Sequence, residues 1–410
     1  MTDSPRGASK AAFAFIFLTV ALDMLALGIM IPVWPRLVMQ LEGGDMGRAA
    51  FMTGVSGFLW AAMQFGFSPI LGAISDRVGR RPVVLLSNLG LGLDYVLMAL
   101  APTIGWLMVG RVLSGITSAS FSTASAYIAD VTPPEKRAGR FGLLGAAFGL
   151  GFVIGPAVGG MLGQVDMRLP FWVSAALSLA NAAYGFFILP ESLPPEQRSP
   201  KLDLRKAQPF AALARLGNEP MLRKFAAVAF VSALAHESLP HTFVLSSGAR
   251  YGWLERDTGL ALMTVGIVSV IVSGGMVRPI VRRLGERKAI YFGYVMGAVG
   301  FAMYGLAPTG AMFLMGVPFA GLWSVSGPAL QALMSKRIDP QSQGQLQGAL
   351  SSLRGIADMI GPLVFTRVMM AGTEVTESAS GAGAPFLLSA LLLVVCCGLT
   401  LRAREQPAAA

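Results

Sequence analysis

Twelve stretches, each long and apolar enough to cross a bilayer, follow one another along this chain. They fall near residues 11–35, 49–74, 82–101, 104–130, 141–163, 170–189, 224–246, 258–281, 289–307, 310–334, 344–369 and 384–401. Such a pattern leaves few folding options. Hydrocarbon offers no partner for backbone N–H and C=O groups, so each stretch must close its hydrogen bonds internally, as a helix. The predicted fold is therefore an all-α integral membrane protein with twelve transmembrane helices. Composition agrees: 54% of residues are hydrophobic and 13% charged, against about 25% charged in soluble domains. The first ten residues lead into an apolar stretch with no small-residue cleavage site, so that stretch reads as a retained first span.

One long hydrophilic interruption, rich in proline and charge, divides the spans six and six. It predicts an N-terminal half over 1–189, a cytoplasmic connecting loop over 190–223, and a C-terminal half with a short cytoplasmic tail over 224–410. The halves read as copies. Ala101-Pro102-Thr103 recurs as Ala307-Pro308-Thr309, Gly155-Pro156 as Gly361-Pro362, Val78-Gly79 as Leu284-Gly285, and Gly115 as Gly321, always 206 positions on. Four anchors with one offset mark an internal duplication. Parallel six-span repeats are an architecture whose substrate site lies between the halves, near the midplane.

The net charge of +10 would suggest nucleic acid in a soluble protein. Its placement argues otherwise. With a cytoplasmic N-terminus, 24 of the 32 Lys and Arg residues fall on the cytoplasmic side. That bias places both termini in the cytoplasm and removes nucleic acid as a partner. Trp34, Trp106, Trp172 and Trp253 then fall at the outer interface, as aromatic-belt residues. Cys396 and Cys397 are adjacent in an apolar run without ligand spacing, so no metal site or cofactor is expected from them.

Ionisable groups inside a span each cost about 2.5–3.5 kcal/mol on insertion scales and need a reason. Here they are Asp23, Asp94, Arg111, His236, Glu237, Arg354 and Asp358. Asp23 in the first span is a candidate proton or substrate group, since a midspan carboxylate facing water can exchange a proton. The plainer alternative is a structural acid capping a broken helix or pairing with Arg111. Asp94 and Arg111 have Gly300 and Val317 at the equivalent repeat positions, so both charges belong to one half only. Either they carry chemistry grafted onto one repeat, or they form an ion pair locking two helices. His236 and Glu237, near Pro240 and His241, could relay protons or merely face an outer vestibule. Arg354 and Asp358, four apart on one helix, read as a self-neutralised pair.

Between the second and third spans, residues 72–81 read GAISDRVGRR. Charges this dense must sit at a membrane face as a tight turn, with Gly72 and Gly79 permitting close backbone approach. In the fifth span, glycines at 151, 155 and 159 form a bare ridge for helix packing, and Pro156 bends the segment. No phosphate loop, metal cluster or nucleophile constellation appears in the sequence, so an enzyme is not expected.

Gly72, Asp76, Arg77, Gly79, Arg80 and Arg81 together resemble the loop signature of the major facilitator superfamily. Gly151, Gly155, Pro156, Gly159 and Gly160 resemble the fifth-helix signature of its drug/proton antiporters, and Arg111 with Gly115 resembles their fourth-helix motif. More narrowly, LDMLALGIMIPVWP, SDRVGRRPVVLLS, LDYVLMA, GRVLSGIT and FGLLGAAFGLGFVIGP are similar to the tetracycline/proton antiporters. The resemblance implies that Asp23, Asp76, Arg77, Asp94 and Arg111 serve proton coupling, gating and handling of a cationic metal–drug chelate, with a divalent ion such as magnesium travelling as cargo. The second half departs: residues 289–306 hold no acid, and the eighth span offers Ser269 and Ser273 where those exporters carry a histidine. His236 and Glu237 are candidates to replace the missing groups.

These observations predict proton-coupled efflux of an amphipathic, cationic drug by alternating access, from a monomer in a bacterial inner membrane. A solute/proton symporter on the same fold is the alternative. A non-transporting membrane receptor is a remote one, given the lack of any appended soluble domain.

Overall fold

The computed structural model describes residues 6–118, 120–199, 220–339 and 343–402. Much of the expected connecting loop, and the end of the expected tail, therefore lie outside the described residues. Those described form helices without strands, and the helices fall into twelve consecutive rods. Rods two, three, five, six, eleven and twelve are unbroken: Met46–Val78, Arg80–Leu100, Pro134–Val165, Leu169–Ile188, Gln343–Thr376 and Ala384–Arg402. The eighth and ninth run together from Glu255 to Leu306 through a π-helical stretch, Val272–Met276, and a kink at Gly285.

The other four rods are interrupted, which the hydropathy pattern does not reveal. The first is Arg6–Met30 and Trp34–Leu41, bent by 40°. The fourth is Ile104–Thr117 and Ser120–Val131, the seventh Pro220–His236 and Ser238–Tyr251. The tenth is Gly310–Leu322 and Ser326–Ser335, joined by a 3-10 turn at Trp323–Val325. Ile31 and Glu237, and Ser118 and Ser324, are 206 apart, so the breaks repeat with the sequence anchors.

Those anchors have structural counterparts. Gly79 and Gly285 adopt φ of +113° and +75°, which favours a residue without Cβ and allows a sharp turn between two helices. Pro156 and Pro362 lie inside the fifth and eleventh rods. At the third rod's end, Arg168 donates to the carbonyls of Ala99 and Ala101, at 2.7 and 2.8 Å. At the ninth rod's end, Arg250 serves the equivalent carbonyls of Gly305 and Ala307, at 2.9 and 2.7 Å. Helix C-terminal carbonyls need such donors. The two arginines occupy unrelated repeat positions, so the requirement recurs where the residue does not.

The chain divides into two compact units. One comprises Met1–Leu41, Leu59–Gln208 and Glu255–Met263; the other comprises Glu42–Phe58, Pro209–Leu254 and Thr264–Ala410. In the first, the glycine ridge of the fifth rod is pressed on the first rod. A Cβ on Gly155 would stand 2.6 Å from the Gly28 Cα, and one on Gly151 would stand 2.6 Å from the Met24 Cβ. Backbones this close gain dispersion contacts that a side chain would displace. At the far end of the first rod Arg36 and Glu255 form an ion pair at 3.3 Å, Glu255 lying against Gly163.

The 72–81 segment differs from its prediction. The second helix continues to Val78, and the turn is confined to Gly79. A Cβ on Gly72 would meet nothing within 4 Å, so Gly72 serves no close approach here.

Candidate functional site

In the first unit, Asp23, Asp94 and Arg111 are all buried, at 5%, 1% and 8% exposure. Asp23 is oriented from the sixth rod. Asn181 donates from Nδ2 to Asp23 Oδ1 at 3.3 Å and to the Thr19 carbonyl at 3.3 Å, while Thr19 Oγ1 donates to Asn181 Oδ1 at 3.2 Å. Thr19 and Asn181 drew no attention in the sequence because an uncharged polar residue in a span carries little signal by itself.

Asp94 is different. Both carboxylate oxygens are buried and neither has a hydrogen-bond partner. Its Oδ1 rests where a Cβ on Gly110 would stand, 2.6 Å away, and Ser114 and Arg111 are its polar neighbours. Arg111 forms no ion pair with it. The guanidinium sits over the Trp34 ring, 4.1 Å from the centroid, and reaches the sulfurs of Met30 and Met98 at 2.9 and 3.2 Å. The expected helix-locking pairs of Arg111 with Asp94 or Asp23 are thus absent, because a ring and two polarizable sulfurs take the cation instead. Trp34 is correspondingly buried at 7% exposure and is no belt residue, whereas Trp106 and Trp172 are exposed.

Below these charges lies the loop network. Arg80 pairs with Asp76 at 2.6 Å and with Asp130 at 3.1 Å, and its backbone N–H donates to Glu191 at 2.8 Å. Glu191 also accepts from the backbone N–H groups of Ser192 and Leu193, and pairs with Arg198 at 3.8 Å. Ser199 N–H reaches the Asp76 carbonyl at 2.9 Å. One arginine at the start of the third rod thus ties the end of the second to the fourth and to the segment after the sixth. Arg77 is exposed, and Arg81 turns away to the Phe186 carbonyl at 2.5 Å.

The second unit holds a separate cluster at the break in the seventh rod. Glu237, 7% exposed, lies 3.6 Å from His236 Nδ1 and 3.1 Å from His241 Nε2. Gly361 of the eleventh rod makes room for it; a Cβ there would collide with the Glu237 side chain. Glu237 therefore faces the packed interior. His241 belongs to this cluster, and its i,i+4 spacing from Glu237 was the sequence signal for it. Asp358 lies within electrostatic reach of Glu237, His236, His241 and Arg354. Arg354, one turn away on the same helix, acts on Asp358 electrostatically and without a direct ion pair.

Comparison with known proteins decides the lineage. The model of the Major Facilitator Superfamily matches residues 16–362. The chain belongs to the major facilitator superfamily. Among superfamily proteins it is 34% identical to the tetracycline resistance protein, class C, of Escherichia coli, covering 95% of this chain and 96% of that one. It is 36% identical to the class E protein of Escherichia coli, over 87% of each. The superfamily fold is matched by the crystal structure of a bacterial homologue of the human lysosomal transporter Spinster, inward-facing and unoccupied. That match has a TM-score of 0.78 at 16% identity, covering 98% of this chain and 99% of that one. The chain is accordingly a multi-pass membrane protein of a transporter family, and the two relatives named above are tetracycline resistance proteins.

Proposed function

We propose that this protein exports an amphipathic, cationic drug in exchange for protons, with a tetracycline-like metal chelate as the leading substrate. The observation carrying this reading is Asp94: a carboxyl buried without hydrogen bond or ion pair, beside an arginine engaged elsewhere. Such a group is tolerable in one charge state and costly in the other, which is what a proton-carrying switch requires. Asp23, held by Asn181 and Thr19, is the partner carboxylate. Arg111 is the fixed cation that biases both. The kinship to tetracycline resistance proteins supports the cargo class.

In this reading an inward proton neutralises Asp94 or Asp23, and the drug leaves on the opposite face by alternating access. A divalent ion such as magnesium travels with the drug as cargo, and no resident cofactor takes part. The network of Asp76, Arg80 and Asp130 acts as a gate that opens and closes with each cycle. The protein works as a monomer in a bacterial inner membrane, with both termini cytoplasmic.

The test uses inverted membrane vesicles carrying a respiratory pH gradient. Adding tetracycline with magnesium should partly collapse the gradient, and the response should be lost in Asp94→Asn and Asp23→Asn. A gradient that stays intact with tetracycline and with a wider drug panel would overturn the reading. Proton uptake that instead accompanies a metabolite moving into whole cells would favour symport.

A further inference from the structure

A cavity of about 420 Å³ lies wholly within the second unit, walled by the seventh, ninth, tenth and eleventh rods. Its volume falls within the range of about 300–1,000 Å³ typical of small-molecule sites. None of the loop or carboxylate features described for the first unit contributes to it.

Its wall is aromatic on one side. The rings of His236 and Trp323 stand 5.8 Å apart, tilted by 43°, and both line the cavity. A planar conjugated ligand gains most from such a wall, by offset or edge contact.

Its polar groups are donors in want of acceptors. Tyr294 is fully buried and lines the cavity, yet its hydroxyl has no hydrogen-bond partner; Ser232 and Ser326 stand near without completing one. A buried donor left unpaired is costly, so the site favours something that accepts from it. Arg354 also lines the cavity and forms no ion pair. Gln331 is committed to Gln347 at 2.9 Å. No aspartate or glutamate lines the cavity among the described residues. Glu237 is held between two histidines, and Asp358, one turn from Arg354, acts on it electrostatically without lining the cavity.

We propose that this cavity binds a flat aromatic compound bearing an ionised oxygen — a carboxylate, phenolate or enolate — with the ring against Trp323 and the anion on Arg354 and the Tyr294 hydroxyl. A compact ion of one charge would not need the ring wall, and an organic cation would meet Arg354 with no acid on the cavity wall. The proposal stands apart from the efflux reading, whose cationic cargo this cavity would disfavour.

The test uses the full-length protein in lipid nanodiscs and two tricyclic probes of matched shape, anthracene-9-carboxylate and the cation 9-aminoacridine, titrated by calorimetry. The carboxylate should bind at least about tenfold more tightly than the cation, as expected for a charge-assisted hydrogen bond. Arg354→Gln should erase that preference by weakening the carboxylate without weakening 9-aminoacridine, Arg354→Lys should retain part of it, and Tyr294→Phe should weaken the carboxylate alone. Equal or tighter binding of the cation, or a carboxylate affinity unchanged in Arg354→Gln, overturns the proposal. Tight carboxylate binding by a protein that moves no drug in vesicles leaves the cavity standing and sinks the efflux reading. Drug efflux with no carboxylate binding does the reverse.

Discussion

Arg111 rests over the Trp34 ring, 4.1 Å from its centre, and leaves the neighbouring Asp94 unpaired. A buried guanidinium normally seeks a carboxylate. Here the ring face and two methionine sulfurs hold the cation, so a change in charge on Asp94 breaks no direct salt bridge. The first unit thereby keeps a permanent charge in place without tying it to the acid beside it.

Trp34 should therefore be sensitive to loss of aromaticity rather than to size. Trp34→Phe keeps a ring beneath Arg111 and is expected to retain drug efflux. Trp34→Leu keeps apolar bulk but loses the cation–π contact, at a cost of about 0.5–2 kcal/mol. Thermal melting in detergent, alongside drug accumulation in cells, checks this. Equal behaviour of the two variants would mean that the ring matters only as filler.

Within the loop network the arginines should not be equivalent. Arg80 holds Asp76, Asp130 and, through its backbone, Glu191, while Arg77 is exposed. Arg80→Ala is expected to abolish transport. The lost pair with half-exposed Asp76 should cost only about 0.2–1 kcal/mol of stability. Arg77→Ala should retain most activity. Efflux rates of both variants at matched expression decide the point.

Glycines in the same signatures should divide by environment. Gly155→Leu forces the first and fifth rods apart at Gly28, and overpacking of this kind costs about 1–3 kcal/mol or more. Gly72→Ala meets open space inside a helix and should be neutral or slightly stabilising, by up to about 1 kcal/mol. Yield and melting temperature of the membrane-extracted proteins separate them.

For the seventh-rod cluster, Glu237→Gln preserves shape and removes charge. It is expected to abolish transport while leaving expression intact; unchanged efflux would remove Glu237 from the mechanism. Gly361→Ala should damage folding instead, because the added methyl occupies the space of the Glu237 side chain. Immunoblots of membranes combined with the vesicle assay distinguish the two kinds of loss.

The helices, their duplication and their lipid surroundings were determined by the sequence alone. The reason is that hydrocarbon acts on each segment separately: a long apolar run must be helical wherever it sits, and a repeat offset can be counted without knowing the packing. The ridge at Gly151, Gly155 and Gly159 was legible for the same reason, since small residues four apart share one helix face. What only the tertiary structure decided is the choice of partner. Arg111 took Trp34 over Asp94, His241 joined Glu237, and Gly72 proved idle while Gly79 made the turn. Each outcome depends on distances of a few ångströms between side chains set by distant segments, and no local pattern of residues encodes those distances.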